Sequence, residues 1–332
     1  MRLQFKKYSS LFILFSLGIF AGFGLHELAI FKKSSGPNFH LERLYPPNSN
    51  HLINPLMQVE GPSGGDSKLD SAKKSIQTYI NGEIKKNDVS SISVYLRNLN
   101  QGNWIGVNED TKFTIASLAK VPLMFTFFLK AQQDPSILNK QSKYEPDMIS
   151  SHRQNILPKD SLQVGSTYSV QELLRDMIAY SDNTSMFILA QNNIIDADLA
   201  NQIYLDLHLP VPRAGAEYEI STKDYARYFR LLYSASYLNK DSSEKALKLL
   251  TETDFKEGLV AGVPENTIVA HKFGERDAIS GVQLHDCGIV YYPETPYLLC
   301  VMTKGWNFET LKATIKNISE IVYGHIAQTR LS

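Results

Sequence analysis

The chain has 332 residues, with 34 basic and 34 acidic side chains and 43% hydrophobic residues. This length is enough for one large domain, or two small ones, with appendages. The net charge of zero and the lack of a Lys/Arg stripe argue against nucleic acid or another polyanion as a partner. We therefore expect a substrate that is small or neutral overall.

The N-terminus joins a basic segment to an apolar one. Arg2, Lys6 and Lys7 precede the apolar run Leu11–Leu25, which a second stretch, Leu28–Phe31, extends to spanning length. Positive charge before an apolar segment keeps the N-terminus in the cytoplasm, so we expect the rest of the chain to be exported. We favour an uncleaved single-pass anchor because no Ala-x-Ala site follows, and a cleaved signal peptide is the alternative.

A stretch rich in Pro, Ser, Asn and Gly follows the apolar segment. It shows no sustained hydrophobic period, which predicts a linker. For the apolar patch His51–Met57, the alternative is a partly ordered strap lying against the domain. The predicted organisation is therefore a cytoplasmic N-terminus with an anchor, or a signal peptide, over 1–33, a linker over 34–67 and one folded domain over 68–330.

The folded domain begins with a helix and a hairpin. Asp70–Ile84 has an N-cap residue and apolar positions at helical spacing, which predicts the first helix. Ser91–Asn98 alternates and is β-rich, and after a turn Trp104–Val107 returns as the second strand. Phe113–Lys130 follows as a helix so apolar that it belongs in a protein interior.

Helices fill the middle of the domain, and strands precede its C-terminal helix. The predicted helices are Val170–Ala179, Thr184–Gln191, Tyr225–Ser234 and Ser243–Thr251, the predicted strands are Thr267–Phe273, Gly288–Tyr292 and Tyr297–Thr303, and the last helix carries an apolar stripe from Phe308 to Val322. This order predicts an α+β fold, with an antiparallel sheet flanked by the N- and C-terminal helices and an inserted all-α subdomain.

A serine and a lysine stand three positions apart near the start of the apolar helix. Ser117 and Lys120 would share one helix face, which puts an amine within hydrogen-bond reach of a hydroxyl. A lysine whose ammonium form is disfavoured by burial or by a nearby cation can take the serine proton. Ser-x-x-Lys alone is a weak signal, because it occurs by chance on many solvated helix faces.

Two further elements follow this pair in order. Ser181–Asn183 (SDN) lies between two predicted helices, and Lys272–Gly274 (KFG) lies on a predicted strand. Together with Ser-x-x-Lys, they resemble the three motifs of the penicillin-recognising serine enzymes. The resemblance covers about Leu69 to Gln328 and is closest to the class A β-lactamases. It implies a β-lactamase/D,D-peptidase-like fold and acyl transfer through a covalent intermediate, without a cofactor.

The resemblance implies a role for each matching catalytic residue. Ser117 would attack the substrate carbonyl, and Lys120 would help to remove the serine proton. Ser181 would relay a proton to the leaving nitrogen. Acyl transfer needs such an activated nucleophile and a proton route, whatever the family name.

The resemblance also implies binding roles. Lys272 would supply positive charge to the substrate carboxylate and to Ser181, and Asn183 would bind the side-chain amide. The backbone N–H groups of Ser117 and of the residue after Gly274 would form the oxyanion hole. These donors face the oxygen on which negative charge develops.

Two departures from the family pattern bear on function. The middle position of the third motif usually carries Thr or Ser, whose hydroxyl contacts the carboxylate, but here it is Phe273. Class A enzymes also place a water-activating glutamate in a Glu-x-x-Leu-Asn loop. Glu217 stands close to the family spacing in a loop that looks shortened. It is either this base or a solvent-facing glutamate before a helix cap.

The histidines and cysteines give no metal site. The eight histidines are scattered, without a His/Cys cluster or metal-ligand spacing, so no metal is predicted. Cys287 and Cys300 stand on adjoining predicted strands. Both a cross-strand disulfide and two buried thiols fit, because the sequence does not fix the register.

Three functions fit these observations. The first is a membrane-anchored, extracytoplasmic bacterial serine hydrolase that opens β-lactam rings. The second uses the same acylation machinery as a D,D-peptidase or esterase with slow β-lactam turnover, and the third is a catalytically silent module that binds wall peptide. The expected partners are a small-molecule β-lactam or a cell-wall peptide and, through the N-terminal helix, the membrane. We expect a monomeric catalytic domain.

Overall fold

The structure is a computed structural model that describes residues 40–43, 50–60, 67–148, 154–158, 162–192, 194–213 and 215–328. The predicted anchor over 1–33 lies outside these residues. The chain divides into two compact units. One comprises 1–40 with 60–65, nearly all of it outside the described residues, and the other comprises 41–59 with 66–332 and holds the domain discussed below.

The described residues form eleven strands and eight α-helices. The strands are β1 His40–Arg43, β2 Leu56–Glu60, β3 Val89–Asn98, β4 Trp104–Val107, β5 Lys112–Thr114, β6 Gln141–Lys143, β7 Thr167–Ser169, β8 Glu219–Ser221, β9 Val269–Ala278, β10 Gly281–Val290 and β11 Tyr297–Gly305. The helices are α1 Ser67–Lys85, α2 Lys120–Gln133, α3 Val170–Ala179, α4 Asn183–Gln191, α5 Ala197–Asp206, α6 Thr222–Ser234, α7 Lys240–Thr251 and α8 Phe308–Gln328.

A five-stranded antiparallel sheet in the order β4-β3-β11-β10-β9 forms the centre of the domain. Side chains alternate between its two faces. On β11, Leu299 and Val301 join a core with α1 and α8, whereas Leu298 and Cys300 join a core with α2, α6 and α7. The predicted α+β fold is confirmed, with the terminal helices on one face of the sheet and inserted helices on the other.

Side-chain caps determine where the inserted helices begin. Ser169 and Glu172 form the predicted capping box at the start of α3. The Asp182 carboxylate accepts hydrogen bonds from backbone N–H groups in the first turn of α4, and Ser221 caps α6. The Asp182 cap therefore fixes the turn between α3 and α4, which carries Ser181, at its α4 end.

The serine-bearing segment is not one continuous helix, and this prediction was wrong in detail. Lys112–Thr114 forms β5, which pairs with β8, and Ala116–Ala119 forms a 3-10 turn before α2 begins at Lys120. Ala116 has φ +47°, a left-handed conformation that an α-helix of L-residues cannot contain. Ser117 and Lys120 are therefore joined by a tighter turn than predicted.

The strands β9 and β10 are longer than predicted. β9 continues past Phe273 to Ala278, and β10 begins at Gly281, so the two strands form a hairpin. The extension was not predicted because Arg276 and Asp277 are charged and break the apolar pattern of a strand. Both are exposed on β9, an edge strand, where charged residues are common. The extension brings charged side chains close to the third motif.

Residues 50–55 lie against the domain. For this part of the predicted linker, the structure therefore has the alternative, a strap packed on the domain. Ile53 is buried, and the backbone N–H groups of Leu52 and Ile53 donate to the Glu244 carboxylate at 2.9 and 3.1 Å. The Tyr291 hydroxyl donates to the Leu52 carbonyl at 2.8 Å. Within the part of the chain that the structure describes, no helix is long and apolar enough to cross a bilayer.

Cys287 and Cys300 form a disulfide. They stand directly opposite each other in the β10–β11 register, with their Cα atoms 3.9 Å apart. Both residues are fully buried, and Cys287 in turn pairs with Lys272 across β9 and β10. Of the two alternatives that the sequence left open, the structure therefore has the disulfide.

Candidate active site

Ser117 lies half-buried on the 3-10 turn, close against β9. The next residue, Leu118, is fully buried, and its carbonyl accepts a hydrogen bond from the Tyr225 hydroxyl at 3.0 Å. A Cβ added to Gly274 would stand 3.0 Å from Leu118 Cγ and 3.1 Å from its backbone nitrogen. Glycine at this position therefore lets the third motif closely approach the 3-10 turn that carries Ser117, called the serine turn below.

Lys120 is 1% exposed and points at the second motif. Its Nζ donates to the Ser181 carbonyl at 2.5 Å and to Asn183 Oδ1 at 2.7 Å, and it lies 3.4 Å from Ser181 Oγ. Burial lowers the pKa of Lys120 to about 7, although nearby carboxylates oppose this effect. A substantial fraction of the amine is therefore neutral near pH 7, as a general base for a serine requires.

The turn that carries Ser181 has a strained backbone, and hydrogen bonds with Lys120 and Gln154 fix its conformation. Ser181 is fully buried, and its φ of +55° is uncommon for a residue other than glycine. Its carbonyl accepts hydrogen bonds from Lys120 and from the Gln154 side chain, the latter at 3.0 Å. The Asn183 N–H donates to Gln154 Oε1 at 3.4 Å. Such strain persists where the surroundings fix the conformation, which is common at functional sites.

Lys272 is fully buried, and its Nζ donates to the Phe273 carbonyl at 2.9 Å. Burial, and then the charge of Lys120, hold the pKa of Lys272 well below its ordinary value. The Phe273 ring packs against Phe255, with centroids 4.8 Å apart, and Lys272 Nζ lies 4.2 Å from the Phe273 centroid. Phe273 thus belongs to the core beneath α1 and α8 and offers no hydroxyl to a substrate.

Glu217 is an exposed residue ahead of β8. Its carboxylate forms an ion pair with Arg276 and accepts a hydrogen bond from Thr114 Oγ1 at 3.4 Å. Among the described contacts, none joins Glu217 to Ser117 or Lys120. Its role as the water-activating base stays a prediction.

Sequence reasoning missed two side chains at the site, those of Gln154 and Glu275, although it assigned the backbone N–H of Glu275 to the oxyanion hole. Gln154 binds the SDN turn, and Glu275, which directly follows the third motif, accepts hydrogen bonds from the N–H groups of Asn155 and Ile156 at 2.9 to 3.1 Å. Glu275 could have been singled out by its position after Gly274. Gln154 lies in a polar stretch without period, where nothing marks it.

The structure brings most of the predicted site residues together. Lys120, Ser181 and Asn183 are joined by direct hydrogen bonds, and Gly274 lies against the turn that carries Ser117. The charge of Lys120 also acts on Lys272. A partly neutral amine and a hydroxyl buried together, next to a turn that presents a half-buried serine, suit acyl transfer.

The fold and the three motifs define a serine hydrolase with a β-lactamase fold. The sequence profile of the Beta-lactamase enzyme family (Beta-lactamase2) matches residues 72–326. The chain belongs to this family. A search of curated protein sequences gives no significant match.

Solved structures with the same fold include both penicillin-binding proteins and β-lactamases. A point mutant of PBP-A, solved as an acyl-enzyme complex with penicillin G, is 23% identical over 78% of this chain and 97% of its own, with a TM-score of 0.66. The TLA-3 extended-spectrum β-lactamase is 17% identical over 78% and 99%, with a TM-score of 0.68. A class A β-lactamase from Mycobacterium abscessus is 19% identical over 77% and 99%, with a TM-score of 0.64.

Proposed function

We propose that the chain is a membrane-anchored, extracytoplasmic serine hydrolase that forms an acyl-enzyme on Ser117 and opens β-lactam rings. The observation that carries this proposal is the buried amine of Lys120, which has a pKa of about 7 and contacts both Ser181 and Asn183. Membership of the β-lactamase enzyme family supports the reaction class. The penicillin G complex of the PBP-A mutant is a precedent for the substrate.

In the acylation step, Lys120 takes the proton of Ser117 Oγ as this oxygen attacks the β-lactam carbonyl carbon. Negative charge develops on the carbonyl oxygen, for which the N–H groups of Ser117 and Glu275 are the proposed donors. The ring C–N bond then breaks, and the proton passes from Lys120 through Ser181 Oγ, 3.4 Å from Nζ, to the leaving nitrogen. The product of this step is an ester of Ser117.

Release of the acyl group needs a base that activates water, and the placement of Glu217 favours slow release. Its carboxylate is already engaged with Arg276 and Thr114. This observation supports the second candidate function, a D,D-peptidase or esterase with slow β-lactam turnover. The two candidates share the acylation step and differ in the fate of the ester.

Covalent labelling of Ser117 tests the proposed function. We expect intact-mass spectrometry of the full-length chain in detergent to show one added benzylpenicillin, and peptide mapping to place it on Ser117. Ser117→Ala should lose the label, whereas Ser90→Ala, which changes an exposed serine on β3, should keep it. Labelling of Ser117→Ala at another serine would mean that the nucleophile is wrongly assigned.

The proposal of an anchor rests on the sequence Leu11–Phe31 and its basic flank. An uncleaved anchor predicts that the protein in its source cells begins at Met1 and fractionates with membranes. Its domain should be digested by protease added outside the cell. Recovery of a soluble exported form that begins near Leu25 would refute the anchor while leaving the catalytic proposal unaffected.

A further inference from the structure

The side chain of Glu275, on β9, contacts the segment 154–158 through its carboxylate. It accepts hydrogen bonds from the N–H groups of Asn155, at 3.0 and 3.1 Å, and of Ile156, at 2.9 Å. Consecutive backbone N–H groups are a typical anion-binding arrangement. Through its first residue, the same segment binds the Ser181 carbonyl. A negative charge is thus fixed between the second and third motifs.

This charge acts on both lysines of the site. Burial lowers the pKa of Lys120 and of Lys272, and the Glu275 carboxylate opposes this effect in both residues. Glu275 directly follows Gly274, which lies against Leu118 in the turn that carries Ser117, so its carboxylate stands beside the place where an acyl donor would bind. The acyl donor would therefore bind in the field of Glu275.

The groups that could hold a substrate carboxylate are engaged elsewhere. The amine of Lys272 is buried and donates to the carbonyl of Phe273, which itself lacks a hydroxyl. Arg276, the next cation along β9, is paired with Glu217. In contrast, the described hydrogen-bond partners of Glu275 are uncharged backbone amides. Among the residues that the structure describes, Glu275 therefore forms no ion pair and presents a negative charge at this end of β9.

We infer that Glu275 determines specificity by rejecting acyl donors that carry a carboxylate beside the scissile bond, so that neutral esters and amides are preferred. This inference rests on the proposed acylation of Ser117 and names its substrate class. A carboxylate bound here would face Glu275, while the described cations Lys272 and Arg276 are engaged elsewhere. Such a like-charge contact is a general means of excluding a ligand. A neutral donor avoids this repulsion.

A matched pair of β-lactams tests the selectivity. Benzylpenicillin and its methyl ester share the ring and the leaving group and differ by one negative charge. We expect the second-order rate constant for acylation of Ser117 in the full-length chain to be at least ~10-fold larger for the methyl ester. Equal or faster acylation by the free acid would overturn the inference.

Two variants assign the effect to one side chain. Glu275→Gln keeps an acceptor for the amides of Asn155 and Ile156 but removes the charge. It should speed acylation by the free acid and bring the two rate constants to within ~3-fold of each other. Asp277→Asn removes the same charge from an exposed position two residues further along β9 and should leave the ratio unchanged. An unchanged ratio in Glu275→Gln, or an equal effect in Asp277→Asn, contradicts the inference.

Equilibrium binding distinguishes this inference from the proposed function. In Ser117→Ala, which lacks the nucleophile, isothermal titration calorimetry should show the methyl ester binding at least ~10-fold more tightly than the free acid. Tighter binding of the ester without an adduct on the wild type would support the selectivity and refute the acylation. Adducts that form at equal rates with both compounds, or equal binding of both, would refute the selectivity.

Discussion

Lys120 Nζ donates a hydrogen bond to Asn183 Oδ1 at 2.7 Å, which joins the helix after the serine turn to the SDN turn. The partner is a neutral amide, so this contact orients the amine without supplying a negative charge. Burial is the largest influence on the amine and lowers the pKa of Lys120 to about 7. The chemistry of the site should therefore follow the titration of this lysine.

Acylation should become faster as the pH rises through about 7 and then level off, because the neutral form of Lys120 is the base. Asn183→Asp adds a carboxylate beside Nζ, which should raise the pKa and move the midpoint of the pH profile up by ~1 to 2 units. Asn81→Asp, at an exposed position on α1, should leave the midpoint in place. Intact-mass kinetics measure the profile, and a flat wild-type profile around pH 7 would contradict Lys120 as the base.

Burial of Lys120 should also cost stability at low pH. The unfolded chain holds this proton up to about pH 10.5, but the folded chain holds it only up to about pH 7. The contribution of Lys120 to the free energy of unfolding therefore increases with pH between these values and is smallest below them. Lys120→Met should abolish acylation yet stabilise the fold by ~1 to 4 kcal/mol near pH 6, and by less near pH 9.

Calorimetric melting at the two pH values measures this difference. A destabilisation of Lys120→Met that is equal at both values would mean that the lysine is held in the core at no electrostatic cost. That result would contradict the lowered pKa on which the proposed base depends.

Gly274→Ala tests the close approach of β9 to the serine turn. The added Cβ would lie 3.0 to 3.1 Å from Leu118, so the turn and the strand must separate by a few tenths of an ångström, which we expect to displace the proposed oxyanion donor on the next residue. We expect acylation to slow by ~10²-fold, as when an oxyanion-hole donor is lost. Gly82→Ala on α1 meets nothing within 4 Å and should retain full activity, with a slightly higher melting temperature. Unimpaired acylation by Gly274→Ala would argue against this oxyanion hole.

The fold and the catalytic cluster could be predicted because the catalytic residues stand in short motifs with fixed spacing and order. Lys120 reaches Ser181 and Asn183 as expected, although a 3-10 turn that carries Ser117 replaces the first part of the predicted helix. The motifs fix residue types at positions where the backbone must take one conformation. Such positions can be recognised in a single sequence.

The surroundings of the cluster could not be predicted, because they depend on the paths of loops and on strand register. Gln154 contacts the Ser181 carbonyl, and Glu275 accepts a hydrogen bond from Asn155. No hydrophobic periodicity in the sequence predicts either contact. The pairing of Cys287 with Cys300 follows from the β10–β11 register, which a turn of several residues leaves open. The ion pair of Glu217 with Arg276 required the unpredicted extension of β9.

Glu217→Gln tests whether this carboxylate takes part in deacylation. The substitution should spare the initial acylation and slow the steady hydrolysis of benzylpenicillin. The expected decrease is at most ~10-fold, which is less than the ~10²-fold or more that a well-placed general base contributes, because the carboxylate is already engaged with Arg276. Steady-state rates compared with those of Glu219→Gln, an exposed glutamate two residues away, isolate the effect. An unchanged steady rate would remove Glu217 from the mechanism.

We propose that the site acylates rapidly, through Lys120 and Ser181, and deacylates slowly, because Glu217 is engaged with Arg276. The most direct measurement is the time course of benzylpenicillin opening by a known amount of the full-length wild-type chain. We expect a burst of about one product per enzyme followed by slow turnover, since a missing or misplaced general base costs ~10² to 10⁴-fold in rate. Fast turnover without a burst would contradict this proposal.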